Sequence, residues 1–313
     1  MKLRRYSTKT WKDHPLHPKT ADRSTVDWIF LIDLLNFSFW SDLDVQDRAT
    51  PHPDRYAIQY GNNYYTGYWS LCAAIRRALD QGIPATDAAY YFRAASDDQL
   101  AAIFRSDTKE QVPLLHERIR VMREAGQILC EKFNGSFATC IEQSGKSAAR
   151  LLDILVTHFP SFRDIHTFHH RSVAILKRAQ ILIADLWACF DGQDYGEFND
   201  IDTITMFADY RVPQALHYLG LLKYSHELTT KLERHENLPS GCTEEIEIRG
   251  NSIWSVELLR RRIMEKKHDG DADQSQQQQQ INAILLDFYI WDFAKEHQDE
   301  MMVPTHCTRS CFY

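Results

Sequence analysis

Apolar positions along the chain recur mainly at the three- and four-residue spacings that are typical of amphipathic helices. The longest regular example has apolar residues at Leu115, Ile119, Met122, Gly126, Leu129 and Phe133. Ser96 and Gln99 fit a capping box at the start of another predicted helix. Gly82 fits a helix stop, and Pro213 fits the first turn of a helix. The pattern therefore predicts a largely helical protein.

Few segments read as strands. Glu244–Arg249 (EEIEIR) alternates over a short span and predicts one strand, and Gly61-Asn62 fits the turn of a hairpin. After the predicted strand, Asn251 or Ser252 is expected to cap a new helix. We therefore predict a mainly α fold with minor short β structure.

Composition and charge narrow the class of protein. The chain has 313 residues, 44% of them hydrophobic, which is enough for one domain over residues 1–313, with two packed helical lobes as an alternative. The net charge of −7 disfavours stable binding to nucleic acid. No apolar run is long enough to cross a membrane, and no signal peptide is recognisable. We expect a protein of the cytoplasm, or also of the nucleus, that binds no membrane.

Two features outside the helices carry further expectations. Residues 268–280 (HDGDADQSQQQQQ) are predicted to be a disordered polyglutamine loop, because this composition cannot bury a core. The seven cysteines are scattered without any C-x-x-C pair, which is typical of buried thiols in a reducing compartment. His306, Cys307 and Cys311 could hold zinc only with further ligands, and no second ligand pair has matching spacing. No metal site is expected.

Arg171–Phe190 is apolar on nearly every side and is predicted to be a central, buried helix. It nevertheless carries Lys177, Arg178 and Asp185. Two interpretations remain open: Arg178 and Asp185 form a buried ion pair, or Lys177 or Arg178 lies at the wall of a polar pocket.

Ile281–Glu296 is predicted to be a second apolar helix that carries acids. Asp287 and Asp292 lie among aromatic residues, and five helical positions separate them by roughly 140°. They are therefore not a close acid–base pair. Each has the aromatic neighbours that a base-binding pocket needs, but the sequence alone favours a surface pair between Asp292 and Lys295.

Asp209 has the most unusual setting. It lies between Phe207 and Tyr210, just ahead of the helix that Pro213 opens. A carboxylate in apolar surroundings is costly unless it is paired or chemically useful. The sequence lacks the motifs of Rossmann dehydrogenases, P-loop NTPases, α/β-hydrolases and zincins, so those classes have no support.

The longer motifs resemble the queuosine salvage protein family. They are, in chain order, FLIDLLNFSFWSD, TGYWSLCAAIRRALDQGIP, FRSD, EKFNGSF, FPSFRD, LKRAQILIADLW, ITMFADYRVPQ, EIEIRG and NAILLDFYIWDFA. The likeness runs from about His14 to Tyr313. It implies a cofactor-free hydrolase that releases queuine and ribose 5-phosphate from queuosine 5′-monophosphate, so that queuine can be reused in tRNA modification. It also implies a helical fold similar to helix-hairpin-helix DNA glycosylases.

The resemblance also implies roles for residues at matching positions. Asp209 matches the catalytic carboxylate of the family. The positions that match base contacts are His14 (or its neighbour His17), Phe207, Asp287, Phe288 and Asp292. The family commonly has tyrosine where Phe288 stands, so a hydroxyl group is missing here. The 5′-phosphate needs cations, for which Lys177, Arg178 and Arg211 are the candidates.

Two other functions remain open at this point. One is a glycosylase that flips a base out of tRNA or DNA, against which the net charge of −7 argues. The other is a non-catalytic queuine-binding or scaffold protein, which would leave the acids in aromatic settings unexplained. The expected partner is therefore a small molecule, queuosine 5′-monophosphate or queuine.

Overall fold

A computed structural model describes residues 8–43, 52–268 and 281–313. The polyglutamine segment predicted to be a disordered loop lies, apart from its first residue, outside the described residues. The α-helices are Arg23–Leu34 (α1), Tyr68–Asp80 (α2), Asp97–Ile103 (α3), Leu115–Lys132 (α4), Ala138–Ser144 (α5), Ala148–His158 (α6), Lys177–Cys189 (α7), Arg211–Tyr218 (α8), His226–Glu233 (α9), Thr243–His268 (α10) and Ala283–Glu296 (α11).

The β structure consists of two antiparallel hairpins. The strands are Ile58–Tyr60 (β1) with Asn63–Tyr65 (β2), and Ile165–Phe168 (β3) with Arg171–Ala174 (β4). A 3-10 helix at Thr8–Asp13 precedes α1. The prediction of a mainly α fold with minor β is thus confirmed, whereas the likeness to DNA glycosylases stays a prediction.

Several local predictions are confirmed. Gly61 has a φ of 59° at the turn between β1 and β2, where a residue without Cβ is favoured. Ser96 accepts the backbone N–H of Gln99, and the Gln99 side chain accepts the N–H of Ser96, which completes the capping box of α3. Pro213 lies in the first turn of α8.

The predicted strand at Glu244–Arg249 is wrong, because these residues form the start of α10. Helical geometry puts Glu245 and Arg249 on one face, where they pair at 3.0 Å in the interior. The predicted caps are also wrong. Asn251 and Ser252 lie inside α10, and each side chain donates a hydrogen bond to the carbonyl group four residues earlier.

The buried central helix is confirmed only from Lys177 onward. Residues 171–174 instead form β4, and Leu176 has a left-handed φ of 56°. The Asp164 carboxylate accepts the N–H of Lys177 at 3.2 Å, which marks the start of α7. α7 packs against α1 and α6 in the larger of the hydrophobic clusters, while α8, α10 and α11 pack around a second cluster. The candidate site lies where these clusters meet.

Candidate active site

A cavity of about 540 Å³ opens between the two clusters. Its wall draws on the N-terminal 3-10 helix, α7, the start of α8, α11 and the C-terminal residues. Most of the residues singled out by sequence line it, with the exception of Arg178. They are His14, Lys177, Phe207, Asp209, Arg211, Asp287, Phe288 and Asp292. This volume is typical of sites for small molecules.

Asp209 lies at the end of an irregular segment that leads into α8. Its Oδ1 accepts the backbone N–H groups of Arg211 and Val212, both at 2.8 Å, so the side chain caps the helix. Oδ2 accepts no hydrogen bond from any described residue, and the side chain lines the cavity. Burial raises the pKa of Asp209, while the nearby Lys177 and the two N–H groups act to lower it.

Asp287 projects from α11 toward the same segment. Its Oδ1 accepts the backbone N–H of Phe207 at 2.9 Å, and the side chain is buried. Burial raises the pKa of Asp287 well above its ordinary value, and the negative charge of Asp209 raises it further. The cavity therefore contains two neighbouring carboxyl groups, of which Asp287 holds its proton more tightly.

Lys177 lies at the inner end of the cavity, at the start of α7. Its Nζ donates to the carbonyl oxygen of Asn36 at 3.3 Å, and the side chain is buried. Burial lowers the pKa of Lys177, and the charge of Asp209 acts most strongly in the opposite direction. Lys177 is therefore placed as a counter-ion to the carboxyl groups.

Of the two interpretations left open for α7, the ion pair between Arg178 and Asp185 is wrong, and Lys177 lies at the cavity wall as the other allowed. Arg178 is buried on the other side of α7, where its guanidinium donates to the carbonyl oxygens of Leu34 and Ser161. Asp185 faces the cavity and accepts the indole N–H of Trp11 at 3.1 Å. Burial raises the pKa of Asp185, and the adjacent Asp33 carboxyl raises it further, so these two acids form a buried carboxyl pair.

Aromatic rings form the walls on which a planar base could stack. The rings of Phe207 and Phe288 lie 6.1 Å apart, and His14 stacks on Trp69 at 3.4 Å. His17 lines the cavity too, but both of its ring nitrogens are engaged: Nδ1 donates to Trp11 and Nε2 accepts from the Tyr68 hydroxyl. This leaves His14 as the better placed of the two histidines for a ligand.

Asp292 and Lys295 do not form the surface pair that the sequence favoured. Both line the mouth of the cavity, and no ion pair joins them. Burial raises the pKa of Asp292 to about 6, with a contribution from Glu296. Partial burial in the mouth lowers the pKa of Lys295 to about 8, and the positive charges of Arg211 and Arg55 lower it further.

Several lining residues were not recognised from the sequence. Trp11 in the N-terminal 3-10 helix, Arg55 in the loop before β1 and Trp69 in the first turn of α2 all lie far along the chain from Asp209. Lys295 was noted only as a surface partner for Asp292. The sequence did offer one signal for Lys295: it follows Asp292 by three positions, and residues at this spacing lie on the same face of a helix.

The histidine of the tail, which the sequence analysis considered as a zinc ligand and set aside, packs inside the protein. His306 is buried, its Nε2 contacts the Tyr313 hydroxyl at 3.2 Å, and burial lowers its pKa to about 3. Within residues 8–43, 52–268 and 281–313, no group of three metal-ligating side chains is found. In the same ranges, no helix has the length and apolar character that a membrane crossing requires.

Comparison with known proteins gives consistent matches. Residues 16–313 match the family model described as queuosine salvage protein. A Mus musculus protein named queuosine 5′-phosphate N-glycosylase/hydrolase is 48% identical over 310 residues, covering 98% of this chain and 88% of the relative. Proteins of the same name from Schizosaccharomyces pombe (47% identical, 97% and 87% covered) and Sphaerobacter thermophilus (40%, 99% and 88%) also match.

Proposed function

The chain belongs to the queuosine salvage protein family, and we propose that it hydrolyses the N-glycosidic bond of queuosine 5′-monophosphate to queuine and ribose 5-phosphate. The names of its relatives support this activity, and they agree at identities from 31% to 48%. The cavity and its neighbouring carboxyl groups supply the chemistry that such a hydrolase needs.

The observation that carries the proposal is the geometry of Asp209. Two backbone N–H groups hold Oδ1, which leaves Oδ2 available to the substrate. Cleavage of an N-glycoside passes through a ribosyl cation, and a fixed carboxylate beneath the anomeric carbon stabilises that charge. Burial raises the pKa of Asp209, but the same two N–H groups and Lys177 favour the ionised form, and in that form Asp209 is the proposed negative group that meets this cation.

The departing base needs a proton, and Asp287 is the proposed donor. In queuine a carbon atom replaces N7, so the proton must be delivered at the pyrimidine ring. Burial raises the pKa of Asp287 and so favours its protonated form, which suits a general acid. As the C–N bond breaks, its electron pair goes to the base, and the base takes the proton of Asp287. Water then adds to the anomeric carbon and gives up a proton that restores the protonated form of Asp287.

The remaining side chains bind the base. Phe207 and Phe288 offer apolar faces to the ring system, and His14 lines the same cavity. Queuine also carries a secondary amine that is protonated at neutral pH. Asp292 at the cavity mouth is the proposed partner of this cation, since a charge-assisted hydrogen bond there distinguishes queuine from guanine.

The direct test is incubation with queuosine 5′-monophosphate, followed by chromatography for free queuine. The parent protein is expected to release queuine. The matched control is Asp209→Asn, which keeps the shape of the side chain and is expected to release queuine more slowly. Guanosine 5′-monophosphate lacks the cationic arm and is expected to be a very poor substrate. Release of guanine as fast as queuine would show that the cavity does not distinguish the two bases.

A further inference from the structure

We infer that Arg118 is a positioning residue for the proposed reaction, because it aims the backbone carbonyl group of Asn36 at Lys177. The inference rests on the function proposed above, in which Lys177 is the counter-ion of Asp209. Arg118 lies on α4, its side chain is fully buried, and it does not line the cavity. Any effect of Arg118 on the reaction must therefore pass through other residues.

The guanidinium of Arg118 holds the carbonyl groups on both sides of Asn36. Its Nη1 donates to the carbonyl oxygen of Leu35 at 2.6 Å, and its Nη2 donates to that of Phe37 at 2.5 Å. The carbonyl oxygen of Asn36, between them in the sequence, accepts Nζ of Lys177 at 3.3 Å instead. Because the neighbouring peptide groups are fixed, the Asn36 carbonyl group cannot turn away from Lys177 without straining the bonds to Arg118.

The end of α1 explains why cations gather there. The last carbonyl groups of a helix have no partner within the helix and lie at the negative end of its dipole. The carbonyl oxygen of Leu34 accepts a hydrogen bond from Arg178, and that of Ser38 lies 3.5 Å from Nη2 of Arg118. The carbonyl groups of residues 34–38 thus all accept from cationic side chains of α4 and α7, which fix the direction of each.

The charge of Arg118 is buried among carbonyl groups and aromatic rings. Its guanidinium carbon lies 4.4 Å from the centre of the Phe37 ring and 5.3 Å from that of Phe39, and Phe39 lines the cavity. Among the residues that the structure describes, no acid forms an ion pair with Arg118, and burial lowers its pKa to about 9. A buried charge without an acid partner is costly to the fold, so its place beside the cavity wall points to a role in the site.

The position of Nζ matters because Lys177 has several charged neighbours. They are Asp209 ahead of α8, Asp33 on α1, Asp287 on α11, and Asp185 and Arg178 on its own helix. Among these acids, the charge of Asp209 acts most strongly on Lys177. The Asn36 side chain donates to Asp33 at 3.1 Å, so the residue whose carbonyl group holds Lys177 also engages a competing acid.

Displacement of Lys177 has a consequence that pH reveals. The titratable groups that face Asp209 are Lys177, Arg211, Asp287 and Tyr210. Lys177 lowers the pKa of Asp209, so that pKa rises if Nζ moves away. The proposed reaction needs ionised Asp209, and activity is therefore lost as pH falls through this pKa. Loss of the Arg118 hydrogen bonds should accordingly move the acidic limb of the pH profile to higher pH.

The test records kcat/KM for queuosine 5′-monophosphate against pH in Arg118→Lys. Lysine keeps the charge, but it lacks the planar fork that holds two carbonyl groups at once. The acidic limb is expected to rise by about one pH unit. Arg123→Lys is the matched control, because Arg123 lies on the same helix and holds carbonyl groups within residues 91–95, away from the cavity. It should keep the profile of the parent.

The route through Lys177 is tested by a double variant. Lys177→Gln alone should raise the acidic limb, and adding Arg118→Lys to it should shift the limb no further. Additive shifts, or an unchanged limb in Arg118→Lys, would overturn the inference. If Arg118→Lys does not fold, Phe37→Leu decides instead, because it keeps the guanidinium and removes only an aromatic ring in contact with it. A smaller shift in the same direction is expected there, and no shift would refute the inference.

NMR titration of the Asp209 carboxyl carbon separates this inference from the proposed function. If the parent protein releases no queuine, the proposed function falls, but the pKa of Asp209 can still be measured in each variant. A rise of that pKa in Arg118→Lys, without one in Arg123→Lys, would still support the positioning role. Equal pKa values in the two variants would refute it.

Discussion

The carboxylate of Asp287 accepts the backbone N–H of Phe207 at 2.9 Å, two residues before Asp209. This bond ties α11 to the irregular segment that carries Asp209, the proposed catalytic carboxylate. On the other side, Arg249 donates to the carbonyl oxygen of Ala208 at 2.9 Å. Side chains of α10 and α11 therefore fix the segment through hydrogen bonds. The segment itself lacks the regular backbone hydrogen bonds of a helix or a strand.

Replacement of Asp287 by asparagine should remove the proton donor and keep an acceptor for the N–H of Phe207. We expect kcat to fall roughly 10²- to 10⁴-fold with little change in KM. In the parent, activity should decline as pH rises through the raised pKa of Asp287, because the acid is then deprotonated. The pH profile of Asp287→Asn should lack this decline, and a profile identical to the parent's would contradict the assignment.

Asp209→Asn should lower kcat about 10²- to 10³-fold, because one preorganised charge is lost at the ribosyl cation. Asparagine is as good a helix cap as aspartate, so the start of α8 should remain intact. Binding of queuine, measured by calorimetry, and the melting temperature should stay close to those of the parent. Turnover within a few-fold of the parent would show that this charge does not drive cleavage.

The pKa of Asp292, raised to about 6, predicts how KM depends on pH. Above pH 6 the carboxylate is ionised and attracts the cationic amine, and below it the group is neutral. KM should therefore rise as pH falls through about 6 in the parent, and in Asp292→Asn it should be high and nearly constant. Asp153→Asn, an exposed acid outside the cavity, should behave like the parent. Parent-like KM values in Asp292→Asn would refute the pairing.

Arg249 should be essential for stability. It is buried and bonds to Asp164 at 2.6 Å and to Glu245 at 3.0 Å. Arg249→Met leaves both acids without their partner and should lower the free energy of unfolding by about 3–5 kcal/mol, measured in urea. Arg261→Met, on an exposed part of the same helix, is the control. Equal midpoints for the two variants would contradict the structural role of Arg249.

The sequence correctly predicted those helices whose ends are fixed by hydrogen bonds between residues close together in the chain. The capping box at Ser96 and the helix at Pro213 are examples, because their hydrogen bonds join residues close in sequence. The prediction of a strand at Glu244–Arg249 (EEIEIR) failed because a contact with a distant part of the chain decides the structure there. Its Arg249 side chain is neutralised by Asp164, which lies 85 residues away, and this pairing supports a helix where the alternation indicated a strand.

The site was predictable in part. Asp209 and Asp287 attracted notice because acids among aromatic residues are unusual, and the family resemblance supplied their roles. Arg178 and Lys177 could not be told apart from spacing, since adjacent helical residues point in different directions. Arg55 gave no signal, because a loop arginine reveals nothing until the fold brings it to the cavity mouth.

The cavity wall includes Trp11 and His14 as well as Tyr313, so segments from early and late in the sequence line the same cavity and can contact the same ligand. A bound base therefore acts as a removable cross-link between them. At a hundred times its Kd, a ligand adds about 2.7 kcal/mol to the free energy of unfolding. A protease should accordingly cut the free protein sooner than the protein saturated with a queuosine nucleotide, so the substrate protects the enzyme that consumes it.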